Sequence, residues 1–303
     1  MTPRSVEVII NAGSGTDDKE EMRDRLAAIF DANQIKARIS IAQSGEEIKE
    51  LAHRAVKSDA QIIAAGGGDG TINAVAAILM GTDKVLGVLP LGTLNHFAKD
   101  LQIPIELEDA ARTMISGQAM RVDVGAVNDR MFLNNSSLGL YPNIVRERQK
   151  QQKLGWGKWP AFVWAGIAVL RRYPFLHVRL SVDGKEFGRR TPFVFIGNNE
   201  YEMESLHVGS RSCLNAGKLS LYITNRTGRL GLIRLALRAL FGGLTQEKDF
   251  LALGAKEVWI ETRHKSLRVA MDGEVTVMVP PLHYHVRPLA LTVMVPQQPQ
   301  ASS

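Results

Sequence analysis

The chain is 303 residues long, with 45% hydrophobic and 22% charged residues, proportions that exclude an intrinsically disordered chain and suit one large or two ordinary globular domains. A single cysteine, Cys213, excludes an internal disulfide framework and fits a reducing cytosol. The net charge of +6 is compatible either with an anionic surface as partner or with plain solubility.

The opening MTPRSVEVIINAG lacks an apolar signal segment, and the longest apolar stretch, Pro160 to Leu170, is too short to cross a bilayer, so a cytoplasmic protein is expected. Val6 to Asn11 reads as a buried strand, followed by a helix through EEMRDRLAAIFDAN. ARISIA is the second strand, and SGEEIKELAHRAV the second helix, with Ser44 as N-cap and Glu47 three residues on. AQIIAAG, TINAVAAILM and VLGVLP continue as strand, helix and strand, and LNHFAKDL and LEDAARTMIS add helix. This alternation predicts a parallel sheet covered on both faces. After Met120 to Val127 the pattern changes to short period-two runs: RMFLNNSSL, HVRLSVDGKEF, TPFVFIGNN, GKLSLYIT, KEVWIETR, LRVAMDGEVTVMV and ALTVMV. Such runs predict an antiparallel, sandwich-like second domain, interrupted by helical insertions near Asn143–Tyr173 and Arg229–Leu240.

Four loops carry the chemistry. AAGGGDGTINAV leaves the carboxyl end of a strand and enters a helix, the place where α/β proteins bind ligands. Its glycines admit close backbone approach, and the helix N-terminus favours an anion. Thr71 is placed as N-cap or phosphate ligand. The string is neither G-x-G-x-x-G nor the Walker pattern. Asp69 would repel phosphates unless a cation or a hydroxyl proton lay beside it, which points to Mg²⁺ or proton transfer. VLPLGTLNHFAKDL repeats the geometry through Gly92 and Thr93, with Asn95 and His96 in the first helical turn. INAGSG is a third strand-end loop, with Asn11 and Ser14 as hydrogen-bonding side chains. AMDGEV is, on local evidence, a hairpin turn, as is VDGKEF; a partner site would be needed to give Asp272 and Glu274 more than a turn's role.

Taken in order, NAGSG, GGGDGTINAV, LPLGTLNHFAKDL and MDGE resemble the motifs of the diacylglycerol kinase catalytic-domain family, which includes bacterial lipid kinases and the sphingosine and ceramide kinases. The resemblance runs from residue 11 to 274. It implies an ATP-dependent kinase of the NAD kinase/diacylglycerol kinase-like α/β class. An N-terminal parallel-sheet nucleotide domain would span 1–122, with a C-terminal strand at 289–303 available to join it. A mainly antiparallel β-sandwich lipid/substrate domain would span 123–288, and the active site would lie in the cleft between. The resemblance assigns Asn11, Ser14 and Gly15, then Gly67, Gly68, Asp69, Gly70 and Thr71, then Gly92, Thr93 and Asn95, to nucleotide contact. Asp272 and Glu274 match the family's D-G-E, with Glu274 as proton acceptor, and Asp123 matches an acidic position of the Mg²⁺ network beside Asp69. Catalytic residues are thus Glu274, Asp272 and Asp69.

Three departures stand out. His96 replaces the aspartate usual in the second loop; Asn215, Ala216 and Ser220 stand where some members carry the acids of a structural metal site; and Ile41-Ala42 lacks a threonine often found there, which Ser44 could replace. The expected reaction is transfer of the ATP γ-phosphoryl group to a lipid hydroxyl of the diacylglycerol or sphingoid type. The tryptophan-rich, basic stretch Lys153 to Phe175, and Arg226 to Leu244 with Arg229, Arg234 and Arg238 among leucines, predict peripheral contact with the inner membrane face. No nucleic-acid partner is expected. The alternatives are a NAD kinase-like enzyme with a soluble substrate and a non-catalytic nucleotide- or lipid-binding protein.

Overall fold

A computed structural model describes residues 5–15, 17–139, 175–201, 211, 213–224 and 250–297. The helical insertions expected near 143–173 and 229–240, and the basic stretches 153–175 and 226–244 apart from Phe175, lie outside them. The chain forms two compact units, Met1–Asp123 with Leu289–Ser303, and Val124–Pro288.

In the first unit, β1 (Ser5–Asn11), β2 (Lys36–Ala42), β3 (Ile62–Gly67) and β4 (Val85–Pro90) pair in parallel in the order β2-β1-β3-β4. Strand β3 is buried at every position, as a central parallel strand covered on both faces must be. The second half of β16 (Leu282–Val295) extends the sheet parallel to β4, pairing Thr292 with Val85 and Val293 with Leu86. Helix α1 (Lys19–Ala32) buries Met22, Leu26 and Phe30, one residue per turn, and Asp18 caps it by accepting from the Glu20 and Glu21 amides. Helix α2 (Gly45–Val56) buries Ile48, Ala52 and Ala55. It packs with α3 (Asp69–Leu79), which starts two residues before the TINAV run because Gly68, not Thr71, is its N-cap. A short α4 (His96–Asp100) and α5 (Leu107–Ser116) complete the unit, α5 packing against α1.

The second unit is a sandwich. Strand β5 (Gln118–Val127), which enters it from the first unit, forms a hairpin with β6 (Arg130–Phe132). One layer runs from the first half of β16 through β13 (Glu257–Thr262) and β8 (Leu176–Val182) to β9 (Lys185–Thr191), all antiparallel. The other has the order β12 (Phe250–Ala255), β11 (Leu219–Thr224), β10 (Phe193–Asn198), β7 (Asn135–Gly139), β14 (Leu267–Met271) and β15 (Glu274–Met278). Alternate residues of both layers, among them Val178, Leu180, Val258, Ile260, Leu138, Val194, Ile196 and Val269, make one buried core. Fully burying a side chain of this size contributes roughly 1.5–3 kcal/mol against leaving it in water.

Pattern and structure part in three places. RMFLNNSSL is not one strand: the chain bends at Leu133 and Asn134 between β6 and β7. Strand β12, FLALGA, has too little alternation to announce itself. Strand β16 begins at Leu282, well before ALTVMV, and runs on through Pro288.

Candidate active site

In the first unit three strand-end loops converge. The Gly67 carbonyl, at the end of β3, accepts from the Leu91 amide at 3.0 Å, so the loops after β3 and β4 leave the sheet side by side. They touch backbone to backbone: a β-carbon added at Gly92 would lie 2.5 Å from the Gly68 α-carbon and 2.8 Å from the Asn95 side-chain oxygen. The loop after β1 joins them at Gly15, which has φ +67° and where a β-carbon would lie 3.2 Å from the Leu91 carbonyl oxygen. Asn11 reaches the same place from β1, donating from Nδ2 to Thr71 Oγ1 at 2.9 Å while its own Oδ1 accepts from the Gly13 amide at 2.9 Å. Thr71 is buried inside the first turn of α3, and its hydroxyl proton is left to donate. Gly70 sits beside it in that turn.

Asn95 works inward. It is buried at the αL cap of α4, φ 49° and ψ 46°, with Oδ1 accepting from the Gly92 amide and Nδ2 donating to the Pro90 and Gly92 carbonyls. Those three bonds close the 90–95 loop on itself, leaving Thr93 and His96 as its exposed polar side chains. Ser44 is exposed at the start of α2 and accepts from the Glu47 amide, with Glu47 in turn accepting from the Gln43 amide. Beside the converging loops lies a cavity of about 260 Å³ lined by Ser14, Gly15, Lys19, Arg25, Leu91 and Gly92 among others. Its cations are tethered: Lys19 donates to the Asp17 carbonyl, and Arg25 is paired with Glu108. That volume lies just below the roughly 300 Å³ at which pockets for whole small-molecule ligands begin.

Asp69 opens α3, half-buried, with Oδ1 accepting a long 3.3 Å bond from the Phe97 amide of α4. Asp123 is different: it is buried, and its Oδ1 accepts from the Leu289 amide at 2.8 Å, tying together the two points at which the chain leaves and re-enters the first unit. Among the described residues no three His, Cys, Asp or Glu side chains stand together as a metal cage. Magnesium suits such a site only through one or two carboxylates with substrate phosphates completing its shell, and Asp69 has the open oxygen for that. Asn215 and Ala216 carry no acid, and Ser220 donates to the Asn199 carbonyl, so that segment is held by hydrogen bonds.

In the second unit AMDGEV is indeed a two-residue hairpin turn, with Met271 paired to Glu274 and both Asp272 (φ 46°) and Gly273 (φ 85°) in the left-handed region. It is also more than a turn. The Asp272 carboxylate accepts from three successive amides, Leu133 at 2.7 Å, Asn134 at 2.9 Å and Asn135 at 3.0 Å. Burial pushes this carboxyl up to about 6, against the pull of the three amides and of Arg211. Glu274 follows with its side chain exposed. Arg211, on the far side of the same bend, belongs to no motif that sequence reading singled out, and only the folded chain brings it here.

Residues 5–127 match the family model described as "Diacylglycerol kinase catalytic domain", and residues 143–295 match that described as "YegS C-terminal NAD kinase beta sandwich-like domain". The chain belongs to the diacylglycerol kinase family. A diacylglycerol kinase of Bacillus subtilis (strain 168) is 32% identical over 234 residues, 76% of each chain. One from Staphylococcus aureus (strain MRSA252) is 27% identical over 272 residues, covering 88% of this chain and 85% of its own. The crystal structure of a Bacillus anthracis diacylglycerol kinase superposes with a TM-score of 0.72 at 19% identity, over 97% of this chain and 98% of that one, and supports the fold. Membership makes this kinase-family chain an ATP-dependent lipid kinase, a phosphotransferase with an alcohol group as acceptor. The NAD kinase-like and non-catalytic alternatives are not favoured. No helix among the described residues is long and apolar enough to cross a membrane.

Proposed function

We propose that this lipid kinase uses Mg·ATP to phosphorylate the primary hydroxyl of a diacylglycerol-type lipid. The observation that carries the reading is the convergence of the three strand-end loops: Gly68 and Gly92 back to back, and Gly15 against Leu91, form a backbone-lined seat with little side-chain bulk. Such a seat offers amides and the α3 N-terminus to phosphate oxygens. Ser14 and Thr71 have hydroxyl protons to donate, with Asn11 orienting Thr71. Asn95 acts by shaping the loop rather than by touching the nucleotide. Mg²⁺, held by Asp69 and phosphate oxygens, would offset charge on the phosphates; Asp123, enclosed and bonded to Leu289, would support the same region at one remove.

The second unit would supply the acceptor side. As the lipid hydroxyl oxygen bonds to the γ-phosphorus, the bond from that phosphorus to the β–γ bridging oxygen breaks and ADP leaves. The hydroxyl proton passes to the Glu274 carboxylate late in the transfer, when the oxygen has become acidic enough to release it. Asp272, with its carboxylate saturated by three amides, holds the hairpin that presents Glu274. Diacylglycerol is preferred over sphingoid acceptors because the curated relatives carry that name. We assign a peripheral membrane surface as the place where the enzyme meets its lipid. The test is Glu274→Gln: kcat should fall by about 10²-fold or more with a short-chain 1,2-diacylglycerol in micelles, the ATP KM staying close to wild type. An unchanged kcat would remove Glu274 from the proton-acceptor role.

A further inference from the structure

The bend at residues 133–135 accounts for its backbone in an unusual way. Its three N–H and three C=O groups are all satisfied, and among the described residues their partners come from three residues, Asp272, Asn198 and Arg211. The amides of Leu133, Asn134 and Asn135 go to the Asp272 carboxylate. The Asn135 carbonyl accepts from the Asp272 amide at 3.0 Å, and the Asn134 carbonyl from the Asn198 amide at 2.9 Å. The Leu133 carbonyl accepts from Asn198 Nδ2 at 2.9 Å and from Arg211 Nη1 at 2.7 Å. Three successive amides aimed at one anion form a concave nest, a shape that a β-strand, whose amides alternate in direction, does not adopt unaided.

What fixes the nest from behind is Arg211. It is 5% exposed, and besides the Leu133 carbonyl it donates through Nη1 to the Asn198 carbonyl at 3.0 Å and through Nη2 to Asn134 Oδ1 at 2.8 Å. The Tyr201 ring lies against its guanidinium, 5.5 Å from ring centre to carbon. A planar fork with donors in fixed directions can satisfy three acceptors on two chain segments at once; a lysine ammonium on a flexible stem cannot hold the same geometry. The bend is therefore gripped on its carbonyl side by Arg211 and Asn198 and on its amide side by Asp272. Asp272 is separated from Glu274 by Gly273 alone, inside a tight hairpin. We propose that Arg211 is a positioning residue for phosphoryl transfer, setting the place of the Glu274 carboxylate through the 133–135 bend and the Asp272 carboxylate. The inference rests on the proton-acceptor reading of Glu274.

The experiment is a double-mutant cycle on kcat, with Mg·ATP and a short-chain 1,2-diacylglycerol in micelles, on the full-length chain. Arg211→Lys keeps the charge and loses the fork; Arg211→Met keeps much of the packing and loses every donor. A displacement of about 1 Å at a reacting group costs about 10²-fold, so kcat should fall roughly 10-fold in R211K and roughly 100-fold in R211M, with the ATP KM within about twofold of wild type. Introduced into E274Q, either change should lower kcat by less than about threefold, because the group being positioned is already gone. A residue that merely holds the fold would instead multiply its loss onto E274Q, and that result would overturn the inference while leaving Glu274 as proton acceptor. So would wild-type kcat in R211K together with an R211M chain that does not fold. Wild-type kcat in E274Q alone would overturn the acceptor reading and the inference with it.

Discussion

Replacing Gly92 by alanine tests whether the proposed nucleotide seat is built by contact between two loops. No left-handed backbone is involved at this position, so the whole effect must come from the added methyl group. That methyl would stand 2.5 Å from the Gly68 α-carbon, about 1 Å inside the closest ordinary carbon–carbon contact, and 2.8 Å from Asn95 Oδ1. Neither neighbour can swing aside: one is backbone at the N-cap of α3, the other a buried amide with three hydrogen bonds. The two loops must therefore part by about 1 Å. Overpacking of this kind costs about 1–3 kcal/mol, a fall in Tm of about 2–12 °C for a unit of this size. The same shift would move the proposed phosphate seat, so the ATP KM should rise at least about tenfold. Gly45→Ala is the control: it opens α2 with no atom within 4 Å of the added methyl, and should leave Tm unchanged or slightly higher. Differential scanning fluorimetry and initial rates over an ATP series decide it. A G92A enzyme with the Tm and ATP KM of wild type would refute the idea that Gly68 and Gly92 are paired to form the seat.

Three further outcomes follow from the Asp272 turn and the surface. Asp272→Asn puts an amide NH₂ among three backbone donors, so stability should fall by about 1–3 kcal/mol and kcat with it. Because burial raises the Asp272 pKa to about 6, this carboxyl adds most stability below its unfolded value of about 3.9 and loses that contribution as pH rises through 6; the wild-type advantage over D272N in Tm should accordingly shrink between pH 4 and 7, and an advantage that grows over that range would contradict the raised pKa. For the proposed membrane encounter, the full-length chain should co-sediment with anionic phosphatidylglycerol vesicles at low salt and release at high salt, whereas failure to bind at low salt would remove the surface as a partner.

The α/β unit was readable because its signals are local. Apolar runs of strand length, the Ser44 cap with Glu47, and glycines at strand ends each report on a few neighbouring residues, and all agree. The side chains within those loops were harder to assign. Asn95 looks like a ligand-facing residue in the sequence, yet its hydrogen bonds close its own loop, because an αL cap turns the side chain inward. Thr71 reads as an N-cap from its place before the apolar run, but Gly68 takes that position once the helix starts at Asp69. The 133–135 bend lay hidden inside an alternating run: its cause is a carboxylate 137 to 139 residues away, and no window on the sequence spans that distance. Arg211 stayed invisible for the same reason.

The two Asp-Gly turns show how little a dipeptide decides by itself. Asp183 and Gly184 adopt the same left-handed pair of conformations as Asp272 and Gly273, at φ 45° and 81°. Asp183 even does a similar job, accepting from the Lys256 and Glu257 amides at 3.0 Å and so fastening one hairpin to the next strand. An aspartate at the first turn position is thus a general latch: its αL backbone aims the carboxylate back toward neighbouring amides. The difference lies in what the latch grips and what comes next. Asp183 is exposed and is followed by Gly184 and Lys185, in a hairpin with no buried cation behind it among the described residues. Asp272 grips a bend held from the other side by a buried arginine, and Glu274 stands two residues on. If Glu274 takes the proton as proposed, the turn and the catalytic reading of MDGE are not rivals: the turn, held through Asp272 and Arg211, would supply the rigidity that a proton acceptor needs.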